Sequence, residues 1–209
     1  FEFDSVVLSS DITLYAQWIP LIEPDYSIFQ NPFSTTYTIR TKEQLYGFAC
    51  AMNGVEGVLD ASTFEGKTVK LGNDILIQDT TDWQYWGKVI PALPFPSMGR
   101  EIPFQGTFDG QGYSIIGLFI NPKSNKDSNQ GHLFYSIGDK GVVKNVKFDA
   151  TVLYGVMQHA GVLAGQLDGV VDNCHIRGMA YHVRSNISRG TAEGYLNLGN
   201  LGGMVGTMY

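Results

Sequence analysis

Charge is scarce in this sequence. Among 209 residues there are 14 Lys and Arg against 20 Asp and Glu, so 16% are charged and the formal net charge is −6. Ordinary domains run nearer ~25% charged, and solvated helix faces are normally filled with Lys and Glu, so the deficit disfavours a helical protein. With a net negative charge and no Lys/Arg cluster, nothing is available to neutralise phosphates, which argues against a nucleic-acid partner. Cysteine is scarce too. Cys50 and Cys174 stand in the apolar settings Phe-Ala-Cys-Ala-Met and Asp-Asn-Cys-His-Ile, and are expected as two separate buried thiols rather than a disulfide. No apolar run reaches the ~18 residues of a transmembrane helix, and no signal-peptide pattern is present. The ligand patterns of zinc peptidases, Cys-x-x-Cys sites and EF-hands are missing, as is the elbow of serine hydrolases.

What the chain has instead is 25 glycines and 44% hydrophobic residues, a combination that favours many short strands joined by turns around a real core. Residues 1–18 read as a turn and a strand with Ile12, Leu14, Ala16 and Trp18 alternating, too little to fold alone. Residues 19–36, with Pro20, Pro24 and Pro32 and no apolar period, read as an extended linker. The start inside a strand pattern without Met, and the stop at Gly-Gly-Met-Val-Gly-Thr-Met-Tyr, lead us to expect a piece of a longer chain.

An amphipathic helix is predicted over about 41–53. Thr41 is its N-cap, Gln44 the capping-box partner, Leu45, Phe48, Ala49 and Met52 its apolar face, and Asn53-Gly54 the stop. Such a helix suits the open end of a stack of strands. Strands are predicted at Thr68–Leu71, Ile75–Ile77, Thr107–Phe108, Ser114–Ile120, Val142–Phe148 and Val170–Ile176. Two internal repeats decide the fold class. Gly131-His-Leu-Phe-Tyr-Ser-Ile-Gly aligns position by position with Ala160-Gly-Val-Leu-Ala-Gly-Gln-Leu, and Gly141-Val-Val-Lys-Asn-Val-Lys-Phe with Gly169-Val-Val-Asp-Asn-Cys-His-Ile; a third start follows at Leu201. Periods of this length belong to stacked units that bury a face only against their neighbours, so an all-β, right-handed parallel β-helix is expected over 37–209. Asn145 and Asn173 should then lie one above the other and satisfy each other's amides.

The residues Trp86-Gly-Lys-Val-Ile-Pro, the run Ile102-Pro-Phe-Gln-Gly-Thr-Phe-Asp-Gly-Gln-Gly-Tyr-Ser-Ile-Ile-Gly-Leu, and the Gly-Val-Val-Lys-Asn-Val and Ala-Gly-Val-Leu-Ala-Gly units together resemble GLUG-motif bacterial surface proteins. The segment Asp11-Ile-Thr-Leu-Tyr-Ala-Gln-Trp resembles the last strand of a Listeria–Bacteroides repeat. The first resemblance implies a β-helix of secreted, cell-surface adhesins, or of the non-catalytic parts of immunoglobulin A-cleaving metallopeptidases; it implies no catalytic set. Ala160 stands where that motif has Gly, and Met204 where it has Leu.

The candidate chemistry is sparse. The glycines Gly110 and Gly112 of Phe108-Asp-Gly-Gln-Gly-Tyr113 serve a tight turn that needs positive φ. Asp109 in that turn reads as an Asx-type cap, with a Ca²⁺ ligand as the alternative; no other cofactor is expected. His132, His159, His175 and His182 share no metal-ligand spacing and read as surface or capping residues. Asp149, Asp168 and Asp172 are the nearest approach to the paired acids of a sugar-cleaving β-helix, but they fall at strand ends and turns and read as solvated carboxylates. For binding, the cluster Asp82-Trp83-Gln84-Tyr85-Trp86 stands out: Trp83, Tyr85 and Trp86 could stack on a glycan, or Trp83 and Trp86 could pack beneath the Pro-rich loop 90–103. The expectation is a non-catalytic, extracellular presenting module whose partner is a host or environmental glycan or protein surface. The rival reading is part of a secreted enzyme, either a carbohydrate-active β-helix or a peptidase stalk.

Overall fold

The computed structural model describes residues 21–31, 33–88, 90–99, 101–121, 132–154, 161–182 and 204–208. The β-rich segment expected over 1–18, with Pro20, Pro32, His159, Ala160 and the repeat start at Leu201, lies outside the described residues.

The described chain is mostly β, with one α-helix, α1 (Lys42–Asn53). The strands are β1 (Thr36–Ile39), β2 (Thr68–Leu71), β3 (Ile75–Leu76), β4 (Thr107–Asp109), β5 (Ser114–Ile116), β6 (Phe119–Ile120), β7 (Phe134–Ile137), β8 (Val142–Lys144), β9 (Lys147–Tyr154), β10 (Ala164–Leu167), β11 (Val170–Asp172), β12 (His175–His182) and β13 (Val205–Met208). Among the described residues they form three parallel sheets, ordered β1-β2-β4-β8-β11, β3-β5-β9-β12 and β7-β10-β13, with β6 added beside β9. In successive stretches the chain visits the sheets in the same order: β7, β8, β9, then β10, β11, β12. Connections from the third sheet to the first, and from the first to the second, take only a few residues. Those from the second to the third run over 78–97, 121–133, 155–163 and 183–204.

Alternation sends one side chain of each strand inward, and the register stacks these residues in rows. Tyr37, Val69, Phe108 and Val143 form one row of the first sheet, and Ile75, Ile115, Phe148 and Ile176 one row of the second; all but Ile176 are buried in a single core. Parallel strands buried this way need close contact between successive repeats. At the corner leading into the first sheet, a Cβ on Gly141 would lie 2.4 Å from the Phe104 carbonyl oxygen, and one on Gly169 2.2 Å from that of Gly141, so only glycine fits there.

Three predicted strands are each two strands in different sheets or segments. Val142–Phe148 divides into β8 and β9 around Asn145 (φ 55°), and Val170–Ile176 into β11 and β12 around Asn173 (φ 48°). Ser114–Ile120 divides into β5 and β6 at Gly117 (φ 82°). Asparagine tolerates the left-handed region, so one residue turns the chain through a corner while the apolar alternation continues unbroken. A second bend stacks Gly117, Ala150 (φ 49°) and Gly178 (φ 98°) at one register position. The alignment of Gly141 with Gly169 holds in the pairing Val142↔Val170. That of Gly131 with Ala160 does not. It would set Phe134 opposite Leu163, whereas Phe134 pairs with Ala164, because a one-residue slip would exchange the inward and outward faces of β10.

Helix α1 begins at Thr41, whose Oγ1 accepts the Gln44 N–H at 3.2 Å, while Gln44 Oε1 accepts from the Arg40 N–H at 2.9 Å. It closes the core at the β1 side. Phe48 stacks on Phe108 (5.9 Å) and Phe29 (5.7 Å) and meets Phe104 and Phe134 edge-on. The described part of the segment read as a linker is docked on this helix. The Asp25 N–H donates to the Glu43 carbonyl, Phe29 is buried, and Gly47 lies so near Asp25 that a Cβ would sit 2.0 Å from the Asp25 oxygen. Composition alone, read as Pro-rich and aperiodic, concealed this contact.

Candidate functional site

The aromatic cluster sits in the first long connection, where Trp83–Tyr85 form a single 3-10 turn after Asp82 in the left-handed region. Its three rings have three fates. Trp86 is 2% exposed and packs with Ala92, Phe119, Val152 and Tyr154, so it offers no face to a ligand; the expectation of a binding role for Trp86 is corrected. Trp83 is half-buried, its ring edge 3.4 Å from where a Cβ on Gly178 would be, against the bend at Ala150. Tyr85 alone of the three stands out, 55% exposed.

At the Asn145 corner the expected ladder is present and one rung longer than expected. Asn173 Nδ2 donates to Asn145 Oδ1 at 2.8 Å, and Asn145 Nδ2 donates to Asp109 Oδ1 at 3.1 Å. Asp109 Oδ1 also accepts the Gln111 N–H at 3.0 Å, the Asx turn, and Lys144 Nζ lies 3.7 Å from Oδ2. Burial alone would push the Asp109 carboxyl up, but the Gln111 N–H, the Asn145 amide and the Lys144 charge hold it below its ordinary value. Asp109 is thus held by two amide donors on Oδ1 and by the Lys144 charge beside Oδ2. Gly110 permits this packing, since a Cβ there would lie 2.5 Å from the Asn145 carbonyl oxygen; Gly112 (φ 82°) meets nothing and serves the turn alone. Among the described residues no three His, Cys, Asp or Glu side chains gather in a way that could hold a metal ion.

The three candidate acids are not brought together. Asp149 is gripped by Arg177 through Nε (2.8 Å) and Nη2 (2.6 Å) on the second sheet. Asp172 ends β11 in the first sheet and Asp168 follows β10 in the third. His132 is buried, 1% exposed and edge-on to Tyr135 at 5.2 Å, a correction to its surface reading; His175 is exposed and contacts Asn173 Oδ1 at 3.0 Å. Of His182 only the backbone is described. Cys50 and Cys174 are free and half-buried.

A groove that sequence reasoning missed lies on the outer face of the third sheet, with a volume of about 400 Å³. Its frame spans three successive repeats: Phe104 bridges to Ile137, which pairs with Leu167. The positions just beyond these are Gln105, Gly138 and Asp168, fixed by the Gly138 N–H on the Phe104 carbonyl and the Asp168 N–H on that of Ile137, both at 2.9 Å. Gly138 opens the floor, and the Gln105 side chain lies across it: a Cβ on Gly138 would be 2.4 Å from Gln105 Nε2. Each of two carboxylates is held by one amide. Gln105 Nε2 donates to Asp139 Oδ1 (3.2 Å) and Gln166 Nε2 to Asp168 Oδ2 (3.1 Å). Tyr135, Ile102 and Pro103 supply the apolar wall and Glu101 a third acid. The sequence signal was the Asp-containing turn that ends each repeat, Gly138-Asp139 and Asp168-Gly169.

No family model matches the chain. A protein of Evansella cellulosilytica described as a "Putative Gly-rich membrane protein" is 37% identical over 75 residues, which make up 35% of this chain and 8% of that protein. The chain therefore spans a small fraction of the relative it matches. No solved structure matches.

Proposed function

We propose that the chain is a non-catalytic module of a bacterial cell-surface protein, a right-handed parallel β-helix that presents a rigid surface and binds glycan or protein partners outside the cell. The observation that carries this reading is the order of the strands: sheet three, one, two, and again three, one, two, with each strand parallel to its equivalent in the repeat before it, as in Phe134↔Ala164 and Val142↔Val170. Parallel crossover connections are right-handed almost without exception, which sets the hand. Each coil buries its face against its neighbours, so the stack is stiff along its length, and the Asn173-Asn145-Asp109 chain ties three coils at one corner. The resemblance to GLUG-motif surface proteins and the membrane-protein description of the relative are in keeping with a surface location. Among the described residues no helix is long and apolar enough to cross a membrane. The reading has no cofactor.

Two of the carboxylates weigh against a catalytic role in this reading. Asp149 is neutralised by Arg177 and Asp109 by Lys144 and two amide donors, whereas sugar cleavage needs an acid and a base facing one bond. The test is a screen of the purified protein against immobilised glycans and host-cell surfaces, with reducing-end release measured on every hit. Saturable binding with the ligand left intact is the expected result. Turnover, or no binding to any surface, refutes the proposal.

A further inference from the structure

We infer that the groove of the third sheet is a saccharide subsite, and that it takes neutral sugars in preference to uronates. This rests on the reading of the chain as a binding module and adds to it the place and the class of ligand. Sugar hydroxyls each donate and accept, so a site for them pairs acceptors with donors at short intervals beside an apolar face for the ring C–H groups. Here Asp139 and Asp168 alternate with the amides of Gln105 and Gln166, and among the described residues Asp139 Oδ2 and Asp168 Oδ1 take no protein hydrogen bond. Each glutamine spends one N–H on its carboxylate and has a second to donate. Tyr135 and the Ile102–Pro103 edge give the apolar wall.

The register makes the site extended rather than point-like. Gln105, Gly138 and Asp168 come from three successive coils, about 4.8 Å apart, so each coil step spans roughly one pyranose ring and its linkage. A bound cation would need converging carboxylates, and no three acids converge among the described residues. The charged lining residues, Glu101, Asp139 and Asp168, are all acidic, which repels a carboxylate-bearing sugar.

The test is calorimetric titration of the intact chain with cellohexaose, xylohexaose, mannohexaose, hexagalacturonate and deca-lysine, repeated on Gln166→Ala, Asp168→Ala and Tyr85→Ala. Both groove positions are at the surface, so melting temperature should hold. The expected result is binding of at least one neutral hexasaccharide, weakened about tenfold by each groove substitution, as loss of one charged or amide hydrogen bond implies, and unchanged by Tyr85→Ala. Binding lost in Tyr85→Ala but kept in both groove variants overturns the groove while leaving the binding module standing. Tighter binding of hexagalacturonate or deca-lysine than of the neutral sugars overturns the ligand class. Absence of binding to every probe here, with hits in the wider surface screen that survive both groove variants, also overturns the inference.

Discussion

Replacing Asn145 by Ala removes the middle rung of the corner ladder, and its cost is calculable from three parts. The bond from Asn145 Nδ2 to Asp109 is half-buried and charge-assisted, worth about 1 kcal/mol; the bond accepted from Asn173 is exposed, worth about 0.5 kcal/mol. Alanine must also hold the φ of 55° that Asn145 has, at about 1 kcal/mol more than asparagine, which visits that region more readily. Together these come to about 2.5 kcal/mol. Asn145→Gly loses the same bonds without the strain, and should be about 0.5 kcal/mol more stable than Asn145→Ala after the extra freedom of glycine in the unfolded chain is subtracted. Urea unfolding followed by tryptophan fluorescence measures both. If the alanine variant costs less than about 0.5 kcal/mol, or the glycine variant is no better than the alanine one, the corner is not held by these bonds and this backbone preference.

Other expectations follow from single residues. Trp86→Ala should cost about 3–5 kcal/mol by the same unfolding assay, because it empties a buried site, whereas Tyr85→Ala, at an exposed ring, should stay within about 0.5 kcal/mol. Asp109 has a folded pKa below its unfolded value of about 3.9, so it binds fewer protons when folded. The stability it lends is therefore full above that value and is lost as pH falls through the lower folded pKa; melting temperatures between pH 5 and 2 should fall less steeply in Asp109→Asn. Burial pushes the thiols of Cys50 and Cys174 up, so a disulfide reagent at pH 8 should label both at least about tenfold more slowly in the folded chain than in urea. Equal rates would place them at the surface.

The sequence makes legible whatever repeats along it. The helix over 42–53, the strand at Thr68–Leu71 and the Asn145–Asn173 stack were readable because capping residues, alternation and a repeated Val-x-Asn report local chemistry. The corners were not, because a left-handed Asn turns the chain without interrupting the apolar pattern of Val143, Val146 and Phe148. The alignment of Gly131 with Ala160 matched apolar residues, Leu133 with Val162 and Phe134 with Leu163, while the pairing of Phe134 with Ala164 is set by which side chains face the core. Trp86 and Tyr85 are neighbours of one chemical type, and only the placement of Phe119, Val152 and Tyr154 around one of them separates core from surface. The groove was invisible for a similar reason: Gln105, Asp139 and Asp168 become neighbours only through the register of three coils.

The connections from the second sheet to the third are the ones that differ in length, over 78–97, 121–133, 155–163 and 183–204, while the other two corners stay short. Each strand after such a connection returns to its place on the strand before it, so an insertion there carries no error forward into the next repeat. These connections are thereby free to diversify while the other two sets are held short. They are where peptide epitopes or affinity tags can be grafted into the chain at least cost to its folding, and where related chains should differ most in length.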